Sequence, residues 1–212
     1  MAGLTYLNLP SLDQDLIDKL IVVADQMPVY PDNTKYESKF HGYQNLDFSY
    51  TDNMNRGRQD RKYAKIPEDI FLELQEKFYP YVGQVYPTII QFVNLNPDSG
   101  PTHSGPHCDM FRPIGLNYLL RPGGANVTTK FFKETRRDPE KTLTQSEFEL
   151  ESKLNLLSEY TVAVGSWHVV ETQRFHMVAN VEHKRTVLGL VLDNLDLTYE
   201  TFCQKYKHLI ID

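Results

Sequence analysis

The chain has 212 residues, with 22 Lys and Arg against 28 Asp and Glu, a formal charge of −6, and 41% hydrophobic and 24% charged residues. That length and balance fit one domain, 1–212, with a sizeable core. They exclude wholesale disorder and collagen-like repetition, disfavour a nucleic-acid partner, and leave no run near the roughly 18 apolar residues of a membrane span.

In chain order, a helical and loop part is expected over about 1–86, a strand-rich core over about 87–195 and a last helix over about 197–210. Ser11 with Gln14 has the form of a capping box, followed by Leu16, Ile17, Leu20, Ile21 and Val23 at helical spacing up to Pro28 and Pro31. Residues 32–62 are polar and aperiodic, a long surface loop or irregular strand pair, and loops of that length in compact domains tend to be functional. Pro67 opens a second helix with Glu68 and Asp69 in its first turn and Phe71, Leu74 and Phe78 as its buried stripe. Strands are expected at 89–95, 114–120, 127–133, 160–170 and 186–192. The turn 121–126 makes the second and third of these a hairpin. Thr144 and Glu147 suggest another capping box, before Phe148, Leu150, Leu154 and Leu157. Helices first and strands later argue against a doubly wound sheet and for a mainly β protein, a jelly roll with flanking helices. Two cysteines, Cys108 and Cys203, are too few for a disulfide framework, and Met1-Ala2-Gly3-Leu4-Thr5 does not begin a signal peptide, so a cytoplasmic protein is expected.

The chemistry concentrates in His107-Cys108-Asp109, His176 and Arg185. In extended backbone, residues i and i+2 share a face, so His107 and Asp109 project together and Cys108 away from them. Two imidazoles and one carboxylate form the facial triad of non-haem Fe(II) oxygenases, with His176 as the second imidazole. Arg185, nine residues on, is a natural anchor for an organic acid, because its planar fork donates two charge-assisted bonds to a carboxylate. His168 and His103 are rival ligands.

The residues Thr102-His103-Ser104-Gly105-Pro106-His107-Cys108-Asp109, Gly115-Leu116-Asn117-Tyr118, Gly165-Ser166-Trp167-His168-Val169-Val170-Glu171-Thr172, His176-Met177-Val178-Ala179-Asn180 and Arg185 resemble the core of Fe(II)/2-oxoglutarate-dependent dioxygenases. The similarity spans about 89–192 and is nearest to small prolyl-hydroxylase-like and aspartyl/asparaginyl-hydroxylase-like members. It implies a double-stranded β-helix in which His107, Asp109 and His176 are the catalytic iron ligands. Arg185 would bind the distal carboxylate of 2-oxoglutarate. It also implies a reaction with O2 that decarboxylates 2-oxoglutarate to succinate and oxidises a substrate C–H bond, the substrate being a protein side chain or a small metabolite.

Asn117 and Tyr118 are both candidates for the cofactor pocket; as neighbours on a strand they face opposite ways. Thr129 and Phe131 are further candidate lining residues, Asn180 a backbone support near the iron strand and Trp167 a core residue. Arg56, Arg58, Arg61 and Lys62, and Arg136, Arg137 and Lys141, form basic groups able to meet an acidic substrate, and Tyr43, Tyr50 and Tyr63 a possible aromatic wall. The competing functions are a cupin-like metal enzyme that does not use 2-oxoglutarate and a non-catalytic jelly-roll module.

Overall fold

The computed structural model describes residues 3–26, 36–37, 47–48, 59–64, 66–94, 97–103, 105–109, 114–135, 151–194 and 197–211. The elements run β1 (Leu4–Leu7), α1 (Gln14–Asp25), β2 (Tyr36–Glu37), β3 (Asp47–Phe48), β4 (Gln59–Ala64), α2 (Glu68–Val82), β5 (Val85–Asn94), β6 (Ile114–Pro122), β7 (Thr128–Thr135), β8 (Leu156–Tyr160), β9 (Trp167–Glu171), β10 (Arg174–Ala179), β11 (Lys184–Leu192) and α3 (Tyr199–Lys205). Six strands form one sheet in the order β1-β9-β6-β11-β5-β4, three form a second in the order β10-β7-β8, and β2 pairs with β3. The pairings within both main sheets are antiparallel.

The alternation of side chains assigns each face of the large sheet a partner. Leu116, Tyr118, Trp167, Val169, Leu188 and Leu190 join Leu16, Leu20 and Ala24 of α1 and Ile70, Leu74 and Phe78 of α2 in one buried cluster. Phe78 meets Trp167 edge-on at 4.7 Å. The opposite face sends Leu4, Leu119, Val170 and Val187 to Phe131 of the small sheet, and Ile90 and Phe92 to Val178 and Val181. The two sheets therefore enclose a core of their own, the jelly roll, while both long helices pack outside it.

Four local expectations are corrected. The cap of α1 is Asp13, not Ser11: its carboxylate accepts from the Leu16 N–H at 2.9 Å. Residues 114–133 are not a hairpin, because β6 lies in the large sheet and β7 in the small one, so the turn 121–126 carries the chain across the barrel. Residues 160–170 are not one strand: β8 and β9 lie in different sheets and are separated by a turn with Gly165 at φ 75°. The N-terminal part contributes β1 and β4 to the large sheet, beyond the helices expected there. The second helix and the final helix start where expected, with Pro67 and Thr198 at their caps. Tyr43, Tyr50, Arg56, Arg58, Arg136, Arg137, Lys141, Thr144, Glu147, Phe148 and Leu150 lie outside the described residues, as do the side chains of Arg61, Lys62 and Tyr63. Among the described residues no helix is long and apolar enough to cross a membrane.

Candidate metal and acid-binding site

His107 and Asp109 lie in the segment leading to β6, and His176 lies on β10. The extended backbone at 107–109 forms an isolated bridge: the His107 N–H donates to the His176 carbonyl at 3.0 Å and the His176 N–H to that of His107 at 2.9 Å. The Asp109 N–H donates to the Thr172 carbonyl at 2.8 Å. This extended geometry still separates the faces as alternation requires. Cys108 packs against the cluster of Phe132, Phe175, Met177 and Ala179, whereas His107 and Asp109 converge with His176.

One potential ligand atom from each of His107, Asp109 and His176 lies within 4.8 Å of the others. Asp109 Oδ1 is 3.8 Å from His107 Nε2, and the two imidazole centroids are 4.5 Å apart. His107 Nδ1 is 2.8 Å from the Gly105 carbonyl and His176 Nδ1 is 2.9 Å from the Arg174 carbonyl. A carbonyl only accepts, so each Nδ1 carries a proton, and in the neutral ring that leaves the Nε2 lone pair for a metal. Phe131 stacks on the His176 ring at 6.0 Å and 29°, fixing its other face. The donor set, two neutral imidazoles and one carboxylate, suits a divalent first-row metal with open positions.

Arg185, at the start of β11, points into the jelly roll with a residue exposure of 3%. Its Nη1 donates to the Pro122 carbonyl at 3.1 Å, and its Nε is buried with no hydrogen-bond partner. Among the described residues no carboxylate forms an ion pair with it. Burial pushes its ionisation down to about 10, so it remains a cation at neutral pH. A buried cation with no carboxylate partner among the described residues costs several kcal/mol, a cost that an organic anion would offset. The turn after β6 makes room: Gly123, at φ 85°, packs so closely that a Cβ there would sit 2.7 Å from the Arg185 Cβ.

Two further polar side chains share this inner face. Asn117 is paired with His168 across β6 and β9, and its Oδ1 is buried without a partner. His168 is itself buried, with Nδ1 3.4 Å from the Ser166 carbonyl and the ring 6.4 Å from that of Tyr6. Burial, reinforced by the charge of Arg185, depresses its pKa to about 3, so it is neutral. As a rival ligand His168 is displaced by His176, which alone joins His107 and Asp109 in the cluster. His103 is half-buried outside that cluster.

Tyr118 is corrected. It faces away from the jelly-roll interior, packed 4.9 Å from Trp167 in the core beneath the helices. Trp167 is core as expected, its Nε1 donating to the Pro10 carbonyl at 2.9 Å. Thr129 is buried on β7 two residues before Phe131. Asn180 adopts φ 61° and donates to the Asn126 carbonyl, bracing the far end of β10. Sequence reasoning passed over the backbone acceptors of Gly105 and Arg174, because a carbonyl leaves no mark in the residue pattern.

No protein-family model matches the chain, and no curated protein matches it. Solved structures do. AviO1 from Streptomyces viridochromogenes Tue57 aligns with TM-score 0.51 at 13% identity, covering 92% of this chain and 91% of that one. HygX from Streptomyces hygroscopicus, solved with nickel, 2-oxoglutarate and hygromycin B, aligns with TM-score 0.49 at 10% identity over 91% of this chain and 84% of its own. A Pseudomonas putida prolyl-4-hydroxylase aligns with TM-score 0.43 at 10% identity over 92% and 95%. At these identities the likeness is one of fold.

Proposed function

We propose that the chain is an Fe(II)/2-oxoglutarate-dependent oxygenase, a hydroxylase of a protein side chain or a small metabolite. The observation that carries this reading is a pairing of two features on one jelly-roll interior. Three converging ligand atoms of a facial triad stand with a buried guanidinium whose Nε has no partner. His107, Asp109 and His176 would hold the iron, and Arg185 would take the distal carboxylate of 2-oxoglutarate through Nε and its outer nitrogens. Asn117 offers its amide from the same inner face.

When bound, Fe(II) with 2-oxoglutarate and O2 supplies the oxidation, and the acid leaves as succinate and CO2. The protein's part is positioning and exclusion. Arg185 is desolvated in advance, so a carboxylate arriving there meets a charge that need not shed water. Leu119, Val187 and Phe131 keep the interior dry. The proton on each Nδ1 is held by a carbonyl, which keeps both Nε2 lone pairs committed to one point. The acidic balance of the chain favours a substrate other than nucleic acid.

The test is succinate release from 2-oxoglutarate by purified protein in air with Fe(II), beside Asp109→Ala and Arg185→Ala. The expected result is turnover that requires Fe(II) and falls at least 100-fold in both variants. Succinate no higher than in the variants, from protein that is folded and monodisperse, contradicts the reading.

A further inference from the structure

The turn between β9 and β10, Glu171-Thr172-Gln173-Arg174, touches both halves of the triad without supplying a ligand. The Thr172 carbonyl accepts the Asp109 N–H at 2.8 Å, and Gln173 Nε2 donates to the Asp109 carbonyl at 2.9 Å. The Arg174 carbonyl accepts the proton on His176 Nδ1. What holds the turn itself is the Arg174 side chain. Its Nε and Nη2 donate to the two carboxylate oxygens of Glu171 at 2.8 and 3.2 Å, and its Nη1 donates to the carbonyls of Lys133 at 2.7 Å and Phe132 at 3.2 Å.

Those two carbonyls are at a break in the sheet. Arg174 pairs with Thr135 and His176 with Phe131, so between these pairs the single residue Phe175 of β10 faces Phe132, Lys133 and Glu134 of β7. The extra residues leave the β10–β7 ladder locally unpaired, and bulges of this kind re-aim side chains beside active sites. The Arg174 guanidinium plugs the gap with carbonyl bonds the ladder does not make. Glu171 fixes the plug from the other side, with side-chain exposures of 20% for Arg174 and 21% for Glu171, so the fork is largely withdrawn from solvent.

We infer that Glu171 and Arg174 are positioning residues for the metal site: the pair pegs the turn into the β7 bulge and thereby sets the orientation of His176 and Asp109. The inference rests on reading His107, Asp109 and His176 as a metal centre. It differs from a plain stabilising role because it ties the ion pair to metal affinity. Removal of the partners that orient ligands typically weakens metal binding about 10–100-fold.

The experiment is titration of Co(II) into metal-free protein under argon, followed by the d–d absorption of the bound ion, with apo thermal unfolding recorded on the same samples. The variants are Glu171→Gln, Arg174→Lys and Gln173→Leu, with His176→Ala as the ligand control. Asp25→Asn removes an ion cluster that includes none of the triad or turn residues and serves as the stability control. The expected result is that wild type and Asp25→Asn bind one Co(II) with equal affinity, His176→Ala does not bind, and the turn variants bind about 10–100-fold more weakly with an altered d–d envelope. Turn variants within about twofold of wild type overturn the inference while leaving the metal centre intact. Affinity that merely tracks apo stability, so that Asp25→Asn falls equally, also overturns it. Failure of wild type to bind Co(II) overturns the metal-centre reading, and this inference with it. Glu171→Gln preserves side-chain shape, so the test stands if Arg174→Lys does not fold.

Discussion

His168 and Arg185 occupy one interior and solve the cost of burial differently. The histidine gives up its proton: with a folded pKa near 3 against an ordinary 6.5 it stays neutral beside the guanidinium. The folded state therefore binds fewer protons than the unfolded chain between those values, and stability falls as pH drops through that window. One such group contributes a slope of about 1.4 kcal/mol per pH unit. We expect urea-derived unfolding free energies between pH 6 and 4 to fall less steeply in His168→Gln than in wild type by about that slope; parallel curves would show that His168 protonates freely in the fold. Arg185 keeps its charge at neutral pH, and under the proposed function an organic acid offsets it. Replacing an unmatched buried cation by a hydrophobe of similar size relieves that cost, so Arg185→Leu should raise apo stability by about 1–3 kcal/mol in the same assay while abolishing 2-oxoglutarate binding. A destabilised apo Arg185→Leu would mean the guanidinium is satisfied without a ligand. The sequence made the triad and Arg185 legible because their chemistry is in side-chain type and spacing. It left Asn117 and Tyr118 undecided, since alternation says that they part but not which of them faces the barrel, and that depends on where the helices pack.

The elements show where such reading stops. The segments around Gly123 and Gly165 look like an ordinary hairpin turn and the middle of a strand, because turn chemistry marks a reversal but not the sheet that the next strand joins. In the structure both lie where the chain changes sheets, each glycine at positive φ. β1 has no mark in the sequence, and β4 begins in the stretch read as a loop or irregular strand pair, for a related reason: β1 is four residues long, and both gain strand character from partners far along the chain, β9 and β5. Gly123 carries a functional consequence. A methyl group there meets the Arg185 Cβ at 2.7 Å on a backbone that L-residues rarely adopt. Gly123→Ala should cost about 1–3 kcal/mol in chemical denaturation and weaken 2-oxoglutarate binding by calorimetry, with Co(II) affinity unchanged. Unaltered acid binding in the folded variant would detach Arg185 from that role.

At the scale of the whole molecule the helical layer and the jelly roll are joined by one apolar cluster and by a surface ion cluster. Asp25, at the end of α1, accepts from both Arg121 outer nitrogens at 2.8 and 2.7 Å and from Lys184 at 2.8 Å, tying the helix to β6 and β11. The hydrogen bonds from Arg121, ahead of those from Lys184, hold its carboxyl well below the usual range. Its folded pKa is depressed, so the stabilisation is present above about pH 3.8 and is lost as pH falls below it. The cluster is partly exposed, so Asp25→Asn should cost only about 1 kcal/mol at neutral pH, and less at 0.5 M salt. A loss that salt does not reduce would place the effect in packing.

The layered plan encloses the triad and Arg185 within the jelly roll, where the proposed function requires one interior to take a metal and an organic acid together. The most direct measurement is an anaerobic titration of the metal-free protein with Fe(II) and then 2-oxoglutarate, recorded by visible absorption. The expected result is a charge-transfer band that needs both additions, is absent in Asp109→Ala, and requires far higher 2-oxoglutarate in Arg185→Ala. Iron bound with no band at saturating 2-oxoglutarate, or a band indifferent to Arg185, would contradict it.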